Sequence, residues 1–315
     1  MLYLNGRIMP LSEGTVRVED RGFQLGDGVY EVLKIENGRL LWVDDHLERL
    51  ASSLEQIVLQ GALDAHPLER ILPELVQRSG VRQGTAYIQV TRGPSPRDFE
   101  FPADPKPTVL AYVQRHGFPG PAEVLTGLTL HAVDDPRWAR CDIKSTNLLP
   151  AVLAKHTAQR YGAQEVLYVA SDGTVREGGS SNVFVILDGA LRTHPADNHI
   201  LNGITRCHVL DLAREQGLSV LEQAVDLAGL LRAEEVFIAS TTRDVMPVVR
   251  VGGLDRLTAT AALPRDAVGL QDTEATGILV PGDGQPGPVT LLLADAMRGL
   301  VSRLVGLEPP PPLGS

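Results

Sequence analysis

Lys144 stands in the stretch Arg-Cys-Asp-Ile-Lys-Ser-Thr-Asn (140–147), directly after an isoleucine and ahead of a polar cluster. A primary amine held partly away from water loses some of its preference for charge. A neutral lysine of that kind can form a Schiff base with an aldehyde or move a proton. The same spelling also suits an ordinary solvated cation, so Lys144 has to be weighed with three other stretches. Arg176-Glu177-Gly178-Gly179-Ser180-Ser181-Asn182 joins an acid to glycines and hydroxyls between two strand patterns. There a ligand can approach the backbone closely and Glu177 can pair with a cationic ring nitrogen; the plainer reading is a solvated glutamate on a loop. Asn202-Gly203-Ile204-Thr205-Arg206 opens a helix, whose free N–H groups and positive dipole end favour phosphate, although Thr205 also suits a simple N-cap. Ser240, Thr241 and Thr242 follow an apolar strand and either complete a phosphate cradle or cap a turn. Arg49, Arg97 and Tyr30 add two cations and a phenol; their plain readings are an exposed helix charge, a loop charge and a core tyrosine with a satisfied hydroxyl.

Other chemistries find little support. No GxxxxGK[ST], HExxH, GxSxG or strand-linked GxGxxG occurs. His46, His116, His131 and His156 lack metal-ligand spacing and read as structural or exposed. Two cysteines are too few for a disulfide framework or a cysteine zinc site. A formal charge of −10 with no basic stripe argues against general nucleic-acid binding, while leaving small anions open to local cations and amides. The start lacks an apolar signal core and no run is long enough to span a bilayer, so a cytoplasmic enzyme or binding protein is expected.

These residues need elements to position them, and 315 residues allow two domains. Asn5-Gly6 and Asn37-Gly38 sit between apolar strands and predict hairpins. In 46–59 the residues Leu47, Leu50, Ala51, Leu54, Ile57 and Val58 fall on one helical face, with Asp44 or Asp45 as N-cap. A second helix runs through 67–79, where Pro73 starts or kinks a turn. Residues 86–93 and 108–114 read as buried strands, and 116–123 as a Gly/Pro-rich linker. Beyond it, strand patterns interrupted by helices at 147–162 and 203–217 indicate an α+β or mixed α/β protein in two layers. The expected divisions are a small domain at 1–115, the linker, and a large domain at 124–305. The large domain carries an irregular insertion near 255–285, and a disordered tail is expected at 306–315.

Taken in order, EDRGFQLGDGVYEVLKIENG, VTRGPSPRDFEFP, RWARCDIKSTNLLPAVLAK, VREGGSSNVF and THPADNHILNGITR followed by STT resemble the fold-type IV pyridoxal-phosphate enzymes. Within that group the resemblance is nearest to the D-amino-acid transaminases and covers about residues 2–250. It implies the two-domain α/β fold of that family, pyridoxal 5′-phosphate as cofactor, and Lys144 as the Schiff-base and proton-shuttling residue. Glu177 is implied to hold the pyridine nitrogen protonated. Arg49, the amides of Ile204 and Thr205, and the hydroxyls of Thr205 and Thr241 are implied to bind the phosphate. Ser240 and Ser180-Ser181 would line the same pocket, and Leu201 would pack against the ring.

Tyr30, Val32 and Arg97 match substrate positions, but the histidine expected two residues beyond the arginine is Phe99. Its loss would cost carboxylate binding on the order of 1–3 kcal/mol and open the site to (R)-configured amines. The implied reaction is a ping-pong transfer between D-amino acids and 2-oxo acids in a homodimer whose Arg97 loop reaches the neighbouring site. Alternatives are an (R)-selective amine transaminase, an aminodeoxychorismate lyase of the same fold, or a non-catalytic pyridoxal-phosphate-binding protein.

Overall fold

Two Asn-Gly pairs turn the chain where the sequence predicts. Asn5 and Gly6 have φ of 44° and 91°, Asn37 and Gly38 of 49° and 75°. Positive φ at both central residues gives a turn whose twist matches the strands it joins. The computed structural model describes residues 1–257 and 277–314. They form two units: Met1–Phe118 with Ile143–Leu148 and Leu304–Leu307, and Pro119–Asp142 with Leu149–Arg303 and Glu308–Ser315.

The first unit is built on a six-stranded antiparallel sheet of β1 (Leu2–Leu4), β2 (Arg7–Met9), β3 (Gly28–Glu36), β4 (Arg39–Leu40), β5 (Gly84–Thr91) and β6 (Thr108–Arg115), ordered β2-β1-β6-β5-β3-β4. Helices α1 (Arg21–Leu25), α2 (Val43–Gln56) and α3 (Leu68–Ser79) accompany it. Strand alternation divides β3 into two faces. Val29, Leu33 and Ile35 join the core with Leu50 and Leu54 of α2 and Leu72 and Leu75 of α3. On the other face Tyr30, Tyr87 and Tyr112 form a ladder across three strands, with successive ring centroids 5.7 and 5.1 Å apart.

The second unit carries a seven-stranded mixed sheet of β7 (Leu128–Asp134), β8 (Glu165–Val169), β9 (Asn182–Leu187), β10 (Ala190–Thr193), β11 (Val220–Leu221), β12 (Glu235–Ser240) and β13 (Asp244–Gly252), ordered β11-β10-β9-β12-β13-β7-β8. Its helices are α4 (Pro121–Thr126), α5 (Leu149–Arg160), α6 (Ile204–Glu215), α7 (Leu227–Leu231) and α8 (Pro288–Leu304). Strands β8, β9 and β12 are buried almost throughout, as strands covered on both faces must be. No helix among the described residues is long and apolar enough to cross a membrane.

Several local expectations are corrected. The expected linker at 116–123 contains the start of α4, because Pro121 at its first position is preset for a helix. Trp42 is the N-cap of α2, and Asp44 and Asp45 lie in its first turn, where their charge complements the dipole. Ala51 is exposed, and α2 ends at Gln56, so Val58 turns outward with a φ of 55°. Helix α3 continues through Pro73. The tail is ordered against α8: Leu313 N donates to both Asp295 carboxylate oxygens at 2.9 and 3.0 Å, and Pro311 O accepts from Arg298 at 3.2 Å. Of the insertion expected over 255–285, residues 258–276 lie outside the described residues.

Glu235 opens β12, the strand that ends at Ser240, and also closes the start of α8. Its carboxyl accepts from Val289 N at 3.0 Å, Thr290 N at 2.8 Å and Thr290 Oγ1 at 2.6 Å, satisfying helix donors that have no intrahelical partner. Glu235→Ala is expected to lower the unfolding free energy by about 1–3 kcal/mol, measured by denaturant melts, with Glu235→Gln losing less.

Candidate active site

Residues 143–148 belong to the first unit although the chain on either side belongs to the second. Backbone bonds bind this short return to β3. Tyr30 N donates to Lys144 O at 2.9 Å, Thr146 N donates to Gly28 O at 3.0 Å, and Ser145 bridges to Val29. Asn147 lies against Gly26, which has a φ of 68°; a side chain there would collide with the Asn147 amide. Lys144 is therefore held from both sides, half-buried, with its Nζ 4.4 Å from the Tyr30 ring centroid. Cation–π contact is a favourable resting place for an ammonium group.

Lys144 lies beside a buried ionic group. Glu31, on the core-facing side of β3, is fully buried and gripped by Arg49 from α2: Nε meets Oε1 at 2.7 Å and Nη2 meets Oε2 at 2.8 Å. His46 Nδ1 lies 2.7 Å from Oε2. Burial pushes the Glu31 carboxyl up, but hydrogen bonds from Arg49 and His46 and the charges of Arg49 and Lys144 outweigh it and hold it at about 2. Burial pushes the His46 imidazole down, leaving it neutral. A carboxylate only accepts, so Nδ1 carries the proton; among the described residues Nε2 has no partner. Arg49, with a side chain 13% exposed, is no surface charge.

Tyr30 and Val32 share the half-buried face of β3. Arg97 and Phe99 are exposed, Phe99 at 82%. Their loop is anchored from beneath, where Arg21 donates to the carbonyls of Asp98 and Glu100 at 2.7 and 3.2 Å. Among the described residues no hydrogen bond or ring contact joins Arg97 or Phe99 to Tyr30 or Lys144.

In the second unit the central acid is Glu177. Oε1 accepts from Arg137 Nη1 at 2.6 Å; Oε2 accepts from Leu201 N at 3.1 Å and Asn182 Nδ2 at 3.2 Å. Burial pushes this carboxyl up to about 7, against the pull of Arg137 and the Leu201 amide. Asn182 also donates to Leu201 O at 2.9 Å, and any side chain at Gly203 would collide with its Oδ1. Gly203 is the N-cap of α6 and no side chain caps that helix, so Thr205, expected as a possible cap, is instead its second residue. Ala239 pairs with Asn182 across β12 and β9, which brings Ser240 and Thr241 beside the same segment. Ser181 is buried, and its hydroxyl has no partner among the described residues. Ser180 points elsewhere, bonding Lys155 Nζ at 2.8 Å and Glu165 Oε2 at 3.1 Å.

Glu31, His46, Asp135 and Arg137 escape the reading by motif. Glu31 had a signal: an acid in the alternating run Val29-Leu33-Ile35, at a position that should be apolar. His46 and Arg49, three apart, share a helix face with it. Arg137 heads the segment RWARCDIKSTNLLPAVLAK, but nothing local ties it or Asp135 to Glu177, which lies 40 residues beyond Arg137.

Comparison with known proteins places these sites in context. The pattern of the family Amino-transferase class IV matches residues 28–251. The chain is 46% identical over 249 residues to a D-alanine aminotransferase of Bacillus licheniformis, covering 79% of this chain and 87% of that one. It superposes on the Escherichia coli branched-chain amino acid aminotransferase with a TM-score of 0.81 at 22% identity, covering 95% and 93% of the two chains. For the branched-chain aminotransferase of the archaeon Thermoproteus uzoniensis with norvaline the TM-score is 0.74 at 25% identity, covering 97% and 94%.

The two acids load stability onto different pH ranges. Glu31 is depressed from 4.5 to about 2, so its contribution is complete above 4.5 and is lost as pH falls through 2. The loss is on the order of 3 kcal/mol. Glu177 is raised to about 7, so its contribution is complete below 4.5 and fades as pH rises through 7. Denaturant melts between pH 2 and 5 are expected to show a shallower acid decline for Glu31→Gln than for the wild type, on a lower stability at neutral pH.

Proposed function

The chain belongs to the class IV aminotransferases, which use pyridoxal 5′-phosphate, and from that premise we propose that it transfers amino groups between D-amino acids, D-alanine among them, and 2-oxo acids. The carrying observation is Lys144: an amine fixed through the backbone of β3, resting on Tyr30 beside a buried ionic group. The printed activity of the Bacillus licheniformis relative supports the D-alanine assignment.

The residues fit the cofactor. A carboxylate has about four acceptor positions; Arg137, Asn182 and Leu201 occupy three at Glu177, leaving one for a protonated ring nitrogen. Helix α6 begins without a side-chain cap, so the amides of Ile204 and Thr205 suit a phosphate, aided by the hydroxyls of Thr205 and Thr241. Arg49 enters this assignment through the resemblance alone, its Nε and Nη2 being held by Glu31. Ser240, Ser181 and Leu201 complete the assignment, whereas Ser180 is engaged by Lys155 and Glu165. When bound, pyridoxal phosphate supplies an aldehyde for amines and a ring that accepts electrons. Lys144 Nζ would provide the resident amine that holds the aldehyde and, as a free amine, would take and return the substrate's α-proton. Glu177 holds the proton on the ring nitrogen. Tyr30 and Val32 line the substrate side, and Arg97 grips the carboxylate, for which a guanidinium fork is suited.

A homodimer is part of the same reading. Leu149, Val152 and Leu153 form an apolar stripe on α5 with exposures of 66%, 59% and 58%, and the Arg97 loop is open to a neighbour. Cys141 and Cys207 stand as thiols and not as a disulfide, which agrees with a cytoplasmic location.

Purified protein supplied with pyridoxal phosphate, D-alanine and 2-oxoglutarate is expected to produce pyruvate, and Lys144→Ala to lose at least ~10²–10⁴-fold in turnover. Turnover of (R)-phenylethylamine or aminodeoxychorismate in place of D-alanine would overturn the substrate assignment, and no turnover of any amine would leave a binding protein. Phe99→His is expected to lower KM for D-alanine by a factor on the order of 5–100, with little change in kcat. An unchanged KM would remove position 99 from carboxylate recognition.

A further inference from the structure

Arg137 lies just beyond β7 and is fixed on every side. Its Nε and Nη2 each meet an Asp135 carboxylate oxygen at 2.9 Å, and Nη1 meets Glu177 Oε1 at 2.6 Å. The guanidinium carbon lies 4.2 Å from the Tyr168 ring centroid. Burial alone would lower its proton affinity, but Asp135 and Glu177 more than offset this and keep it charged. With Glu177 ionised, the three groups form a line, Asp135–Arg137–Glu177, with one negative charge in excess. A buried glutamate without Arg137 would take up a proton, because desolvation disfavours the charged form. With Arg137 but without Asp135 the pair would be neutral and exert little attraction on a cationic ligand atom.

We propose that Arg137 is a positioning residue acting through Glu177. It draws that carboxyl toward its charged form and aims it by one oxygen, while Asp135 occupies the remainder of the guanidinium so that, once Glu177 is ionised, one negative charge is left for a cationic ring nitrogen. The inference rests on the pyridoxal-phosphate reading above. The other titratable groups sensing Glu177 do not interfere near neutral pH: burial pushes the Cys141 thiol up to about 11 and the Tyr168 phenol up to about 12.

Opposite signs make the device testable. In the full-length protein without added cofactor, the Glu177 carboxyl is followed by ¹³C NMR against pH, identified by its absence in Glu177→Gln. Arg137→Gln should raise its midpoint by roughly 1–3 pH units, and Asp135→Asn should lower it. Pyridoxal phosphate should bind both variants about tenfold more weakly by fluorescence titration, yet Arg137→Gln should weaken it less than about twofold when placed on Glu177→Gln, where nothing remains for it to act through. Arg137→Lys, which keeps the charge and loses the fork, should fall between wild type and Arg137→Gln and serves if Arg137→Gln does not fold. An unmoved Glu177 midpoint in the Arg137 variants, movement in the same direction by Asp135→Asn, or undiminished loss of affinity on Glu177→Gln would overturn the proposal. Failure of the wild type to bind pyridoxal phosphate would instead overturn the functional reading, while the carboxyl titration would still decide whether Arg137 controls Glu177.

Discussion

A carboxylate taken out of water stays charged only if fixed donors replace the water, and the charge that those donors carry sets how strongly it holds its own. This protein does so twice, with different results. Glu31 receives both arms of the Arg49 fork and a histidine N–H, and its carboxyl lies at about 2. Glu177 also receives three donors, but only one of them is cationic: an arm of Arg137, whose other arms are committed to Asp135, beside the N–H groups of Asn182 and Leu201, and its carboxyl lies at about 7. The first spends both arms of one guanidinium fork on a single carboxylate and is suited to holding structure rigid. The second shares its guanidinium with Asp135, so that when Glu177 is ionised the cluster keeps a negative charge that a cationic partner can use.

The rigidity of the first group matters because of where the chain runs. Lys144 owes its position to a six-residue return, 143–148, whose carbonyl and amides are bonded to Tyr30 and Gly28. The next residue on β3 is Glu31. One strand therefore presents a tyrosine to the amine on one face and an acid to Arg49 on the other, the alternation that a pleated strand imposes. Moving β3 by one residue would exchange the two faces and disassemble both arrangements, so the buried apolar register of Val29, Leu33 and Ile35 also sets the chemistry.

Much of the fold was legible because its determinants are local. Asn5-Gly6 and Asn37-Gly38 specify turns through the φ values open to those residue types, and the apolar spacing of Leu47, Leu50 and Leu54 specifies one helix face. Local signals also had limits: Asp44 is a good N-cap by type, yet Trp42 takes that place, because the chain leaving β4 enters the helix two residues earlier. The proline tail reads as disordered, since nothing in its composition reveals that Asp295 awaits the Leu313 amide.

By itself the sequence pointed to the amine at 144, the acid at 177 and the helix start at 204–205 as candidates, because each lies in a contiguous motif whose residue types and order carry the resemblance. That the helix start has no side-chain cap only the folded chain shows. Only the tertiary structure decided their electrical state. Glu31 meets Arg49 across 18 residues and Glu177 meets Arg137 across 40. A charge's energy depends on the water it has lost and the donors that replace it, and neither quantity is defined until the chain has folded.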